Sequence, residues 1–191
     1  MLAAARVRFA RDGFQSASMD DVIAEAGMSA GAVYRYFRGK DELVLAVVDD
    51  VLAAVGELAS TALRHAAAEP PGQFLDHLLR APEGPQPELR AETQRIALFA
   101  WAEAQRNPAV HQLLATHYRR LDVLTEDLVR RWQDAGYVAA DADVPSLGRA
   151  LFALTPGFYV LRLILGDLPG RSAGGGVADL LAVTGRPAPE N

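Results

Sequence analysis

No stretch of this chain alternates apolar and polar residues long enough to make a strand, whereas apolar residues recur at steps of three and four from end to end. That periodicity puts an apolar stripe on each of a series of helices and predicts an all-α fold. Leu2, Ala5 and Phe9 share one face of a first helix, which is expected to stop at Gly13. Ser18-Met19-Asp20-Asp21 has the form of a capping box, so a short second helix starts at Ser18 and stops at Gly27. Ser29 is the expected N-cap of a third, running to Phe37 before Gly39 breaks it. Asp41 and Glu42 then stand in the first turn of a fourth helix, where carboxylates suit the dipole.

The fourth helix is expected to reach Ala68 and to span roughly 40 Å, enough to bridge two domains. Its stripe is Leu43, Val47, Val51, Ala54 and Leu58, widened by Val44, Val48, Leu52 and Val55, and Pro70-Pro71-Gly72 ends it. A short fifth helix over 73–80 precedes a proline-rich loop, and a sixth runs over 88–106. The seventh, over 108–135, carries the stripe Val110, Leu114, His117, Leu121, Leu124, Leu128 and Trp132, with Glu126/Arg130 and Asp127/Arg131 paired at i,i+4. The eighth, over 144–165, is apolar nearly all round, with Arg149 and Arg162 its only charges, so it must be covered on most sides. Pro156 withholds an N–H inside it, and Pro156-Gly157 is expected to kink it. A last short helix is expected over 177–183, with disorder beyond Gly185.

Composition narrows the function. The 191 residues include no cysteine, which excludes disulfides, cysteine-held metals and thiol catalysis. No apolar run reaches the ~18 residues of a membrane helix, and the N-terminus does not read as a signal peptide, so a cytoplasmic protein without membrane contact is expected. Net charge is −5, yet residues 1–40 hold six cations against four carboxylates. A mildly basic head on an acidic body suggests a nucleic-acid module carried by something else.

Residues 18–40 form the strongest constellation. Two short helices joined through Gly27-Met28-Ser29 have the dimensions of a helix-turn-helix, and Val22, Ala26, Met28, Val33 and Phe37 supply a small core between them. The second of these helices opens Ser29-Ala30-Gly31-Ala32, whose tiny side chains let a backbone approach a surface closely. Tyr34, Arg35, Tyr36, Arg38 and Lys40 then offer hydroxyls and cations, which suits a helix end entering a major groove with phosphates gripped beside it. The plainer alternative is a helical hairpin with solvated charges.

These residues resemble a known family. Ala4-Ala5-Arg6, Phe9-Ala10, Gly13-Phe14, the run Ser18 to Ser29, Gly31 to Phe37 and Lys40-Asp41-Glu42-Leu43 are similar to the N-terminal domain of the tetracycline-repressor (TetR-like) family over about 45 residues. The resemblance implies a three-helix DNA-binding head over 1–44, a bridging fourth helix, and a ligand-binding, dimerising body over 45–191. It places Ser18, Tyr34, Tyr36 and Lys40 on phosphates, and Gly31, Ala32 and Arg35 toward the groove. Ala30 stands where many members have a cation or polar residue.

The body offers no catalytic set and no cofactor site. None of the four histidines follows a metal-ligand spacing, and Gly174-Gly175-Gly176 lacks the Lys-Ser or Lys-Thr of a phosphate loop. A ligand cavity is the better reading: Phe74, Leu78, Leu98, Trp101, His117, Tyr118, Phe152, Thr155 and Tyr159 lie on helices expected to converge, with His117, Tyr118, Thr155 and Tyr159 as polar anchors. The plain alternative is that these are core residues. Glu103 is read as solvated. A small, largely apolar effector fits the scarcity of inward charges. Leu151, Leu154, Phe158, Leu161 and Leu165 on the eighth helix are the expected dimer interface. Taken together, these features are expected of a homodimeric, ligand-released repressor on a palindromic double-stranded DNA operator. An effector-independent helical protein-interaction module is the second reading, and an enzyme the third.

Overall fold

The computed structural model describes residues 1–65, 69–80, 87–166 and 175–176. Among these are eight helices and no strand: α1 Leu2–Ser16, α2 Met19–Ala26, α3 Ala30–Tyr34, α4 Lys40–His65, α5 Pro71–Arg80, α6 Pro87–Ala104, α7 Pro108–Asp134 and α8 Val144–Leu165. The expected helix over 177–183 and the expected disorder beyond Gly185 lie outside the described residues. The chain packs as two compact units, one of Met1–Glu57 with Pro85–Tyr118 and one of Leu58–Gly84 with Arg119–Asn191. Helices α4 and α7 contribute to both.

The first unit is built around α1. Ala5, Phe9, Ala10 and Phe14 are buried on one face of it, against Leu43, Val47 and Val51 of α4 and Ile96 and Ala100 of α6. Phe9 meets Phe14 edge to face at 5.3 Å, and Phe14 meets Phe99 at 6.2 Å. Each such buried side chain contributes about 1.5–3 kcal/mol of transfer free energy. Gly13 does not end α1, contrary to expectation. It sits at φ 77°, ψ 164°, a conformation open to glycine, and the helical hydrogen bonding resumes beyond it to Ser16. Phe14 is therefore turned into the core while the chain is redirected toward α2.

Arg6 fixes α1 at its other end. Its side chain is largely buried and its guanidinium donates to Glu92 Oε1 at 2.9 Å, Thr93 Oγ1 at 3.0 Å and Asp50 Oδ2 at 2.9 Å. One planar fork thus joins α1, α4 and α6. A residue that counts as head charge in the sequence is engaged inside the fold.

The expected α4 stripe holds at Leu43, Val47 and Val51, but Ala54 is exposed and Leu58 is 74% exposed. Both point in the same direction around the helix as Leu43 to Val51, so their exposure reflects their level along α4 and not their angle: Leu58 lies past the part of α4 that belongs to the first unit. Val44, Val48 and Leu52, expected to widen the stripe, are buried beside it. Helix α3 is also shorter than expected, ending at Tyr34 rather than Phe37; both Tyr36 and Phe37 then donate their backbone N–H to Val33 O in a tightened turn.

In the second unit Trp132 is the centre. Its ring meets Phe74 edge to face at 5.6 Å among Leu63, Leu75, Leu128, Val129 and Leu151, and its indole N–H donates to Glu69 O at 3.0 Å. Arg131 donates to the carbonyls of Leu63 at 2.9 Å and Arg64 at 3.3 Å near the end of α4, where cations suit the dipole. Gly148 lets α8 approach α7: a Cβ there would stand 2.9 Å from Glu126 N and 3.0 Å from its Cα, so no side chain fits. Helix α8 runs through Pro156 to Leu165.

Candidate nucleic-acid interface

The α2–turn–α3 segment is capped at both starts. Ser18 Oγ accepts from the Asp21 N–H at 3.1 Å, and Asp21 Oδ2 accepts in return from the Ser18 N–H at 2.9 Å and from its hydroxyl at 2.7 Å. These Ser18 bonds, then the nearby Arg8 and Arg11, hold the Asp21 carboxyl below the usual carboxylate range. Because its folded pKa is depressed, what this cap contributes is present above the ordinary carboxylate range and lost as pH falls through the folded value. Gly27 ends α2 in the left-handed region at φ 61°, and Ser29 Oγ accepts from the Ala32 N–H at 3.3 Å to start α3. Val22 and Val33 are buried between the two helices.

What α3 presents outward is what the sequence suggests. Ser29, Ala30 and Gly31 are exposed and Ala32 half-buried, and a Cβ on Gly31 would meet nothing within 4 Å. Tyr34 and Arg35 are exposed, and Tyr36 is 71% exposed. Arg35 makes no ion pair among the described residues, and Arg38 reaches Glu42 at 3.6 Å. Arg8 and Arg11 pair with Asp12 at 2.6 and 3.2 Å and reach Asp21 and Glu25, tying α1 to α2. The Lys40 ammonium donates to Gln15 O at 3.0 Å and Ala17 O at 3.2 Å.

The expected ligand residues divide between the units. Leu98, Trp101, His117 and Tyr118 belong to the first; Phe74, Leu78, Phe152, Thr155 and Tyr159 belong to the second. The Trp101 indole N–H donates to the Tyr118 hydroxyl, and burial pushes the Tyr118 phenol up. His117 Nε2 lies 3.2 Å from Asp49 Oδ1, and Thr155 Oγ1 donates to Leu151 O at 3.2 Å. Phe74 is core, Leu98 and Phe152 are half-buried, and the side chains of Leu78 and Tyr159 lie outside the described ones. Among the described residues two hollows are formed, and neither is lined by those of the nine whose side chains are described. An open groove of about 430 Å³ in the second unit is lined by Pro70, Pro71, Gly72, Gln73, Asp76, Tyr137 and Gly175. A polar hollow of about 390 Å³ in the first is lined by Gln15, Asp41, Glu103, Arg106, Asn107 and Pro108.

Glu103 is a correction. Expected in solvent, it is 8% exposed and accepts from Gln15 Nε2 at 3.0 Å and Arg106 Nη2 at 2.7 Å. The sequence holds no sign of this, since Gln15 is 88 positions away. On α8, Leu154, Leu161, Ile164 and Leu165 are exposed, while Leu151 is 7% exposed and Phe158 packs on the same core. Ile164, absent from the expected interface, is 72% exposed.

Comparison with known proteins agrees along most of the chain. A profile of bacterial regulatory proteins of the tetR family matches residues 1–47, and one of the C-terminal part of BetI-type transcriptional repressors matches 73–182. The chain is 27% identical over 184 residues to the transcriptional regulator BetI of Brucella suis biovar 1, covering 93% of this chain and 88% of that one. The solved structure of Salmonella enterica GusR superposes with a TM-score of 0.63 at 26% identity, covering 96% and 88%. A transcriptional regulator of Saccharomonospora viridis, solved in complex with choline, superposes with a TM-score of 0.68 at 23% identity, covering 95% and 91%. With its capped, small-faced α3 and these two matches, the chain belongs to the TetR family of DNA-binding transcriptional regulators, which are not enzymes.

Proposed function

We propose that this protein is a ligand-released repressor that binds a palindromic operator as a homodimer. The observation that carries the reading is the bare N-terminal face of α3, exposed and sterically open at Ala30 and Gly31. That face enters the major groove, with Ser29, Ala32 and Arg35 beside it and Ser18, Tyr34, Tyr36 and Lys40 on the flanking phosphates. Residues 1–44 form the DNA-reading part and 45–191 the effector-binding and dimerising part.

The exposed row of Leu154, Leu161, Ile164 and Leu165 supplies the dimer contact on α8, since large apolar side chains at helical spacing favour a partner helix over water. Leu151 and Phe158 support that face from the subunit's own core. The effector is small and largely apolar. His117, Tyr118 and Thr155 already have partners in the chain. Choline, the ligand of the Saccharomonospora viridis neighbour, is the first compound to try, because aromatic faces attract its methylated cation. Effector binding shifts the protein toward a state whose paired heads no longer fit two successive grooves.

Light scattering and thermal shift test this together. Two chains per particle are expected at micromolar concentration, and Leu161→Glu with Leu165→Glu gives monomers that lose the operator. Choline or apolar compounds are expected to raise the melting temperature, by the equivalent of about 2.7 kcal/mol at a hundred times Kd, and to release DNA. A monomeric wild type contradicts the dimer. An operator complex that no such compound stabilises or releases favours the effector-independent interaction module.

A further inference from the structure

We propose that Arg6 is a positioning residue of the DNA-reading head: its guanidinium fixes α1 on α6 and α4, and so sets how the head is carried for an operator with two half-sites. The inference rests on the reading that paired heads occupy a palindromic site. All the residues concerned lie in the first unit. Arg6 reaches three partners on two neighbouring helices: Glu92 Oε1 at 2.9 Å and Thr93 Oγ1 at 3.0 Å on α6, and Asp50 Oδ2 at 2.9 Å on α4. Its side chain and that of Glu92 are largely buried, so the pair is shielded from water.

A second polar tie stands at the other end of α1. Gln15 Nε2 donates to Glu103 Oε2 at 3.0 Å, and Phe14 meets Phe99 between the two ties. Residues 6, 14 and 15 of α1 thus meet 92–93, 99 and 103 of α6, so α1 lies along α6 and is held near both ends. What holds α1 also holds α2: Arg8 Nη2 reaches Asp21 Oδ1 at 3.1 Å, and Arg11 reaches Glu25 at 3.8 Å. Arg6 is the stronger tie, because its bonds are charge-assisted and its planar fork meets three partners at fixed angles. Without it, two carboxylates are left beside each other with no cation, and the junction of α1, α4 and α6 loosens. A dimer on two half-sites is a bivalent binder. The second head engages at an effective concentration that falls when the head is free to wander. One head on one half-site makes no such demand.

Comparing a whole operator with half of one tests this. The full-length protein is titrated by fluorescence anisotropy, across a salt series, onto a duplex selected from a random pool by the wild type and onto a duplex holding one of its half-sites. Thermal melts check that each variant is folded. Arg6→Met keeps the stem and removes the donors. Expected are a whole-operator affinity lower by about tenfold, a half-site affinity within about twofold of wild type, and an unchanged salt slope. Glu92→Gln removes the partner's charge and leaves the cation. It is expected to weaken whole-operator binding by about threefold and to spare the half-site, and it is read by the same criteria should the Met variant not fold. Equal weakening on both duplexes makes Arg6 a support of the head's fold alone and overturns the proposal. A salt slope reduced by about 0.9 per head, with Glu92→Gln binding at least as tightly as wild type, makes Arg6 a phosphate contact and overturns it too. So does unaltered binding by both variants. A wild type that selects no duplex, or one without two-fold symmetry, refutes the palindromic reading instead.

Discussion

Replacing Gly31 by glutamate should leave the protein folded and lower its affinity for operator DNA by at least about a hundredfold. Nothing lies within 4 Å of a Cβ at this position, and its backbone is not in the left-handed region, so the fold tolerates a side chain there. Gly31 is the second residue of α3, where loss of glycine's extra unfolded-state freedom and a carboxylate in the first turn both favour the helix, so the melting temperature should hold or rise slightly. On DNA the same side chain brings bulk and negative charge to the closest point of approach. Each well-made base contact is worth about 1–3 kcal/mol of discrimination, and lifting α3 from the groove removes several together. Anisotropy on the selected duplex, beside a thermal melt, reads both halves. A folded variant that binds as tightly as wild type would show that α3 does not lie in the groove.

The largest stability effect should come from Trp132→Ala. This side chain is fully buried, packs edge-on against Phe74, and donates to the Glu69 carbonyl. Truncation forfeits the transfer free energy, opens a cavity and leaves a carbonyl without its donor, together about 3–5 kcal/mol. For a chain of this length that corresponds to a fall in melting temperature of roughly 6–20 °C. Urea unfolding followed by circular dichroism checks it. A loss below about 1 kcal/mol would mean that the Trp132 cluster is not the core of the second unit.

Most of the secondary structure is legible in the sequence because it rests on local rules. The capping box at Ser18 and the cap at Ser29 form as their spacing suggests, and Gly27 ends α2 with a positive φ. The α7 stripe holds at Val110, Leu114, Leu128 and Trp132, all buried. What the sequence hides is long-range. Arg6 looks like head charge, but Glu92 and Thr93, far along the chain, bury it. Glu103 looks solvated until Gln15 is folded against it. Gly13 looks like a stop until Phe14 needs a place in the core. Leu58 shows the limit of helical periodicity alone: it shares the angular face of Val47 and Val51, yet at its level along the helix it is left in solvent.

Hydroxyl-radical footprinting of the full-length protein on the selected duplex tests the central claim most directly. The account predicts two protected patches with centres about 10 base pairs apart or a multiple of that, related by the two-fold symmetry of the site, with two chains bound. Both patches should disappear with Gly31→Glu. A single unsymmetrical patch, or a selection that enriches no duplex over random DNA, would contradict it.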